Sequence, residues 1–174
     1  MKSKAFIMKT VDTKSAFYAF KPESAVFVLS VDLNKKPSGM VAGFNMKCST
    51  DPFILGVALW KEGYTHKLIR ESKEFVVAVP NLSMKDDIEY FGSHHGDEVN
   101  KFEERNIETI ASKYIQTPLL AKATINFECK LYKEVEVGDH FLFLGEVLAS
   151  YIDESKKVLL NMGKKDGRRI FREF

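Results

Sequence analysis

A chain of 174 residues with 45% hydrophobic and 29% charged side chains can bury one sizeable core, which excludes a disordered polymer and makes a disulfide or metal staple unnecessary. Its 26 Lys+Arg stand against 24 Asp+Glu, a net charge of +2, without the basic excess expected of a nucleic-acid binder. The two cysteines, Cys48 and Cys129, have neither CxxC spacing nor the density of a disulfide scaffold, so a single domain over 1–174 in a reducing compartment is expected.

The N-terminal stretch MKSKAFIMKTVDTKSAF interrupts every apolar run with charge, which argues against a secretory leader. The first strong signal is AVFVLSVD (Ala25–Asp32), β-branched and aromatic, running into the Pro/Gly/Asn turn LNKKPSG. A second strand is expected over Met40–Met46. FILGVALW (Phe53–Trp60) is a nearly continuous apolar run, consistent with a buried strand and far short of the ~20 residues that span a bilayer. In YTHKLIRESKEF the period changes, and Thr65 is placed to cap a short helix. FVVAVP (Phe75–Pro80) returns to strand and ends at its proline. Ser83, with Asp86 three residues on, resembles a capping box at a helix start.

Along ATINFECKLY (Ala123–Tyr132), Ile125, Phe127, Cys129 and Leu131 alternate with Asn126, Glu128 and Lys130, the period of a half-buried strand. HFLFLGEVLASYID (His140–Asp153) reads as a long strand with a bulge or close approach at Gly145. KVLLNM and RRIFREF close the chain as strands, with Asp166–Gly167 as a hairpin turn. Many strands, few short helices and no strand–helix alternation point to an antiparallel barrel or sandwich and away from a parallel nucleotide-binding sheet.

The side chains offer several chemistries. FGSHHGDEVNKF (Phe91–Phe102) could be a metal site, an acid–base cluster or a polar loop. Adjacent His94 and His95 converge only if the chain bends, and no HxxxH or HExxH spacing occurs among His66, His94, His95 and His140; no metal is expected. Cys48, in a Ser/Thr/Asp turn, is either a reactive thiol or a small packing residue, whereas Cys129 lies on the apolar face of its strand. Without GxxxxGK or GxGxxG, a phosphate would have to be held by main-chain N–H groups, hydroxyls and scattered lysines. Ser49–Asp51 and Tyr64–Lys67 offer such donors, and Thr65 serves either an anion or a plain cap. His140, entering an apolar strand beside Asp139, is either a satisfied edge histidine or a pocket-facing one.

Taken in chain order, SGMVAGFNMKCSTDPFILGVAL, YTHKLIRESKEFVVAVP, Ser93 and Gly96 followed by Lys101 and Phe102, and FECKLYKEVEVGDHFLFLGEVLAS resemble the flavin reductase-like family. This is the FMN-binding split β-barrel group that includes flavoredoxins and ferric reductases. Val41 stands where that family often has Thr, Gly43 where it often has Ser, Phe44 where Trp is common, and Phe53 where a second Pro is usual. A side-chain hydroxyl is lost there, so main-chain N–H groups of Met40, Val41, Ala42 and Gly43 become the expected flavin donors.

The resemblance implies a mainly β, antiparallel split β-barrel with a few short helices, and FMN as cofactor. Cys48 and Ser49 would meet the flavin ring or ribityl chain. Tyr64, Thr65 and His66 would hold the phosphate at a helix start. Lys101, followed by Phe102, would lie near the pyrimidine ring or the phosphate and favour an anionic reduced flavin. His140 is the expected catalytic residue, orienting a nicotinamide, and His94 and His95 face solvent or a substrate mouth. The implied activity is that of an FMN-dependent oxidoreductase of the flavin or ferric reductase kind. NAD(P)H or a redox protein would be the donor and a small molecule or protein the acceptor. A flavoredoxin-type carrier and a non-enzymatic flavin-binding module are the alternatives. A cytoplasmic homodimer is expected, with no membrane or nucleic-acid partner.

Overall fold

Chain order explains the architecture of the computed structural model, which describes residues 8–174; residues 1–7 of the stretch examined for a leader lie outside the described residues. Helix α1 (Thr13–Ala19) starts at Asp12, whose carboxylate accepts from the Ser15 amide at 2.9 Å. There follow β1 (Glu23–Ser24), β2 (Val26–Val31), β3 (Pro37–Ala42), β4 (Asn45–Thr50), β5 (Phe53–Trp60), α2 (Thr65–Ser72) and β6 (Glu74–Val79). A 3-10 turn (Leu82–Met84) leads into α3 (Lys85–Phe91), then α4 (Lys101–Glu104), β7 (Thr109–Ile110) and β8 (Leu119–Leu120). The long hairpin β9 (Ile125–Val137) and β10 (His140–Ile152) precedes β11 (Leu159–Lys165) and β12 (Arg168–Glu173).

Seven strands form one antiparallel sheet in the order β3-β2-β6-β9-β10-β5-β4, and β1-β11-β12 form a smaller one. Strands β3 and β4 lie at opposite edges of the large sheet, yet only Gly43 and Phe44 separate them in the chain. The sheet must therefore curl until its edges meet. The Phe44 carbonyl, accepting from the Ala58 amide at 2.8 Å, fastens that junction. The expected antiparallel split β-barrel with few short helices is what the chain forms.

Strand β2 is buried at every position because it is covered on both faces. Phe27 and Leu29 face a cluster with Val76, Phe91, Phe102 and Leu120. Val26 and Val28 face the barrel interior with Val57, Phe75, Cys129 and Phe143. Burying each large side chain of this kind contributes about 1.5–3 kcal/mol. Gly145 sits at the expected irregularity, where the β9–β10 register shifts between Leu144 and Gly145. A Cβ there would lie 2.4 Å from the Phe75 ring, so any side chain at this position must displace its neighbours. Asp166 and Gly167, with φ of 52° and 78°, form the expected hairpin turn.

Four boundaries differ from the sequence reading. The strand expected over Met40–Met46 is two strands, parted at Gly43–Phe44. The Asn45 amide pins the crossing by donating to the carbonyls of Ser24 (3.0 Å), Ala42 (3.2 Å) and Gly43 (3.3 Å). The turn before it ends at Lys36, because the Asp32 carboxylate gathers the amides of Asn34 and Lys36, both at 2.8 Å. Tyr64 rather than Thr65 stands at the cap of α2, without a side-chain bond. Asn81 rather than Ser83 opens the turn before α3, accepting from the Ser83 amide at 3.0 Å and hydroxyl at 2.6 Å.

Candidate functional site

The split of the barrel is the site-forming feature. Met40–Ala42 end an edge strand that bonds to β2 alone, so part of its main chain faces the gap between the sheet edges. This gap opens into a groove of about 800 Å³, within the ~300–1,000 Å³ typical of cofactor sites. Met40, Val41, Ala42, Gly43 and Phe44 line one side, Ala58, Trp60 and His140 another. Tyr18 of α1 and Lys21, Glu23, Asn161, Lys164 and Arg169 from the smaller sheet and its approach also line it. The bare face at Gly43 is narrow: a Cβ there would lie 3.2 Å from Glu23 Oε1. Glu23 is itself held by Lys21 and by the Asn161 amide at 2.8 Å.

His140 is the first residue of β10, opposite Trp60 in the ladder. Its Nδ1 lies 2.6 Å from the Asp139 carboxylate, and this bond holds the Asp139 carboxyl below its ordinary pKa. The imidazole centroid is 5.2 Å from the Phe44 ring, and Phe44 in turn meets Phe17 of α1 edge-on at 5.9 Å. Phe44 and Trp60 remain 42% and 48% exposed. The groove thus joins main-chain polar groups, an oriented imidazole and uncovered aromatic faces, a combination suited to a flat polar ring system.

The other residues singled out from sequence are dispersed around this groove. Tyr64 lines a separate hollow of about 300 Å³ with Asp32, Lys36, Ser38 and the loop Gly96–Asn100. A Cβ on Gly96 would fall 2.3 Å from Ser38 Oγ, so the loop approaches β3 closely only because a glycine stands there. Burial, and then the charges of Asp32, Glu71 and Asp97, raise the Tyr64 hydroxyl pKa. Thr65 and His66 begin α2 but are 2% and 4% exposed. His66 Nδ1 is a buried ring nitrogen without a hydrogen-bond partner, and burial lowers the imidazole pKa, which favours the neutral ring.

Lys101 is 3% exposed. Its ammonium donates to the carbonyls of Gly39 at 3.1 Å and Phe91 at 2.9 Å, and burial lowers its pKa to about 8. It lies behind the groove wall, bracing the residues before Met40 and Gly92, which both line the groove. Phe102 is core, edge-on to Phe91 at 5.6 Å. Cys48 and Ser49 lie along β4 outside the groove lining. Burial raises the Cys48 thiol pKa, which opposes thiolate formation, and Ser49 Oγ accepts from the Asp51 amide at 3.3 Å. His94 stacks on Tyr90 at 3.9 Å with Nδ1 3.0 Å from the Tyr90 carbonyl, and His95 is exposed.

Sequence reasoning missed Phe44, Trp60 and the whole wall contributed by α1 and the smaller sheet. The signals available were the only tryptophan, standing at a strand end, and the basic stretch Lys164–Arg169. Among the described residues no group of three or more His, Cys, Asp or Glu is placed to hold a metal ion. No helix among them is long and apolar enough to cross a membrane.

Comparison with known proteins agrees with this architecture. Residues 21–168 match the flavin reductase like domain. An uncharacterized protein of Archaeoglobus fulgidus is 41% identical over 114 residues, 66% of this chain and 64% of its own length. The match thus spans slightly under two thirds of that relative. The ferric-chelate reductase (NAD(P)H) of the same organism is 30% identical over 148 residues, 83% of each chain. Among solved structures, the FMN-binding protein of Thermus thermophilus with bound p-hydroxybenzaldehyde superposes with a TM-score of 0.79 at 26% identity, covering 99% of this chain and 95% of that one.

Proposed function

For a chain that belongs to the flavin reductase like domain family, we propose an FMN-dependent oxidoreductase: a single domain over 1–174, acting as a cytoplasmic homodimer that passes electrons from NAD(P)H to a small-molecule or protein acceptor. The observation that carries this reading is the groove at the barrel split, where Met40–Phe44 and His140 meet. Its volume and its main-chain lining fit a flavin, and the glycine at position 43 leaves room that a side chain would fill. Bound there, FMN would supply the two-electron redox chemistry that no side chain of this protein provides.

The chain's own work is binding, orientation and exclusion. Main-chain groups of Met40, Val41, Ala42 and Gly43 would bind one edge of the ring, and the Phe44 and Trp60 rings would shield it from water. Tyr64, at the start of α2 and beside Ser38 and Gly96, is the residue of the expected phosphate trio that reaches an open hollow. Thr65, His66, Lys101 and Phe102 would act through the groove wall, and we assign Cys48 and Ser49 no contact. His140, its Nδ1 turned to Asp139, presents the rest of the ring to the groove and would orient the nicotinamide without having to transfer a proton. Exposed Phe17, Tyr18 and Phe20 give a second copy an apolar surface to cover.

The test is an absorbance spectrum of the purified protein and of the protein titrated with FMN, followed by steady-state oxidation of NADH and NADPH. A bound flavin spectrum and turnover are expected. His140→Ala should slow flavin reduction by about tenfold or more while weakening FMN binding less. A preparation that takes up no flavin at micromolar concentration overturns the proposal. Flavin uptake without nicotinamide turnover, together with rapid reduction by a ferredoxin-like protein, would assign the carrier role instead.

A further inference from the structure

The far end of the groove carries charge that the flavin reading does not use. Lys164 and Arg169 line the groove, and the same two side chains join Lys85 and Arg168 around an adjoining hollow of about 610 Å³, with Gly92 common to both. In the β11–β12 ladder Lys164 is paired with Arg169 and Lys165 with Arg168. Like charges directly opposite across a hairpin destabilise it, so two such pairs in succession carry a local cost. Among the described residues none of these five cations is in an ion pair, although Lys21, Lys61, Arg70, Arg105 and Lys156 all are. The side chains at the tip are exposed. The acidic groups nearby are Glu89, which lines the hollow, Asp166 in the turn, and Glu23, engaged by Lys21 and Asn161; among the described residues none of them forms an ion pair with these cations.

We infer that this hairpin tip is the phosphate-reading subsite for the nicotinamide donor. It takes the 2′-phosphorylated adenylate half of NADPH in the outer hollow while the nicotinamide half reaches the groove beside His140. Guanidinium groups suit this task, since their planar fork bonds two phosphate oxygens at once. Continuity of the two hollows through Gly92, Lys164 and Arg169 lets one elongated ligand occupy both. The inference rests on the oxidoreductase reading for its ligand, and it adds a preference for NADPH over NADH that the groove itself does not impose.

Calorimetric titration with 2′,5′-ADP, which carries the adenylate and the 2′-phosphate but no nicotinamide, tests the subsite apart from turnover. The flavin-loaded protein should bind 2′,5′-ADP about tenfold or more tightly than 5′-AMP, with an affinity that falls as salt rises. Lys164→Gln/Arg169→Gln and, separately, Lys85→Gln/Arg168→Gln should each lose about tenfold, and the NADPH-to-NADH ratio of kcat/KM should fall in step. Equal affinity for the two nucleotides, or undiminished 2′,5′-ADP binding by both double variants, overturns the inference. Tight 2′,5′-ADP binding without NADPH oxidation would leave the subsite standing and reject the nicotinamide-driven oxidoreductase. NADPH oxidation with the same coenzyme preference in wild type and variants would do the reverse.

Discussion

Replacing Lys101 with methionine keeps most of the side-chain volume and removes one buried ammonium. In the folded chain, burial lowers the Lys101 pKa from 10.5 to about 8, with the Asp97 charge opposing the shift. The unfolded chain therefore holds the proton to higher pH than the folded one. Between those two values unfolding takes up a proton, so stability rises with pH there and is flat on either side. From about pH 7 to about pH 9.5 the linkage amounts to about 2 kcal/mol. The two carbonyl bonds at 3.1 and 2.9 Å favour the charged form, which makes that figure a ceiling. Tyr151, raised from 10.0 to about 12 by its bond to Glu128, and Cys129, raised from 9.0 to about 12 by burial, act with the opposite sign, the tyrosine above about pH 10 and the cysteine from about pH 9, within the same window. Both are retained in the variant. Urea unfolding of wild type and Lys101→Met at the two pH values therefore isolates the lysine. Wild type should gain up to about 2 kcal/mol relative to the variant; parallel pH dependence in the two proteins would refute a buried, proton-shedding Lys101.

Gly145→Ala would place a methyl 2.4 Å from Phe75 Cζ and 2.8 Å from Cys129 Cβ. It should cost about 1–3 kcal/mol in urea unfolding, and Phe75→Leu should relieve part of that loss in the double variant. Glu128 is fully buried, and its carboxylate accepts from the amides of Lys113 (2.7 Å) and Tyr114 (2.8 Å) and from the Tyr151 hydroxyl (2.6 Å). Burial raises its pKa, but these bonds outweigh burial and leave it below the ordinary value. Its contribution is therefore full above the ordinary carboxylate pKa and is lost as pH falls through the lower folded one. Glu128→Gln turns an amide donor toward donors; it should cost about 1.5–3 kcal/mol, speed hydrogen exchange at Lys113 and Tyr114, and flatten the acid limb of the stability curve.

What the sequence showed well was whatever depends on near neighbours. Alternation from Ile125 to Leu131, the apolar run of β5 and the Asp166–Gly167 turn each follow from a few adjacent side chains. The break at Gly43–Phe44 does not, since Met40–Met46 is locally a good strand and is divided only because strands far apart in the chain close around it. The same limit applies to the site. Met40–Gly43 and His140 could be named, and the structure gathers them in one groove. Nothing local to Lys101 says that its ammonium turns inward to the Gly39 and Phe91 carbonyls. The opposite groove wall, from α1 and the β11–β12 hairpin, is assembled by contacts across more than a hundred positions, such as that of Asn161 with Glu23.

The two-residue crossing from β3 to β4 also bears on how the protein acquires its ligand. Sequence neighbours placed on opposite sheet edges cannot settle until the intervening strands have paired, so the closure is a late, non-local event in folding. A nascent or partly unfolded chain has no groove to fill, and a ligand that enters it captures only closed molecules. Loading should therefore raise the melting temperature in proportion to the logarithm of ligand concentration above its dissociation constant, making the ligand a lock on the last seam to shut.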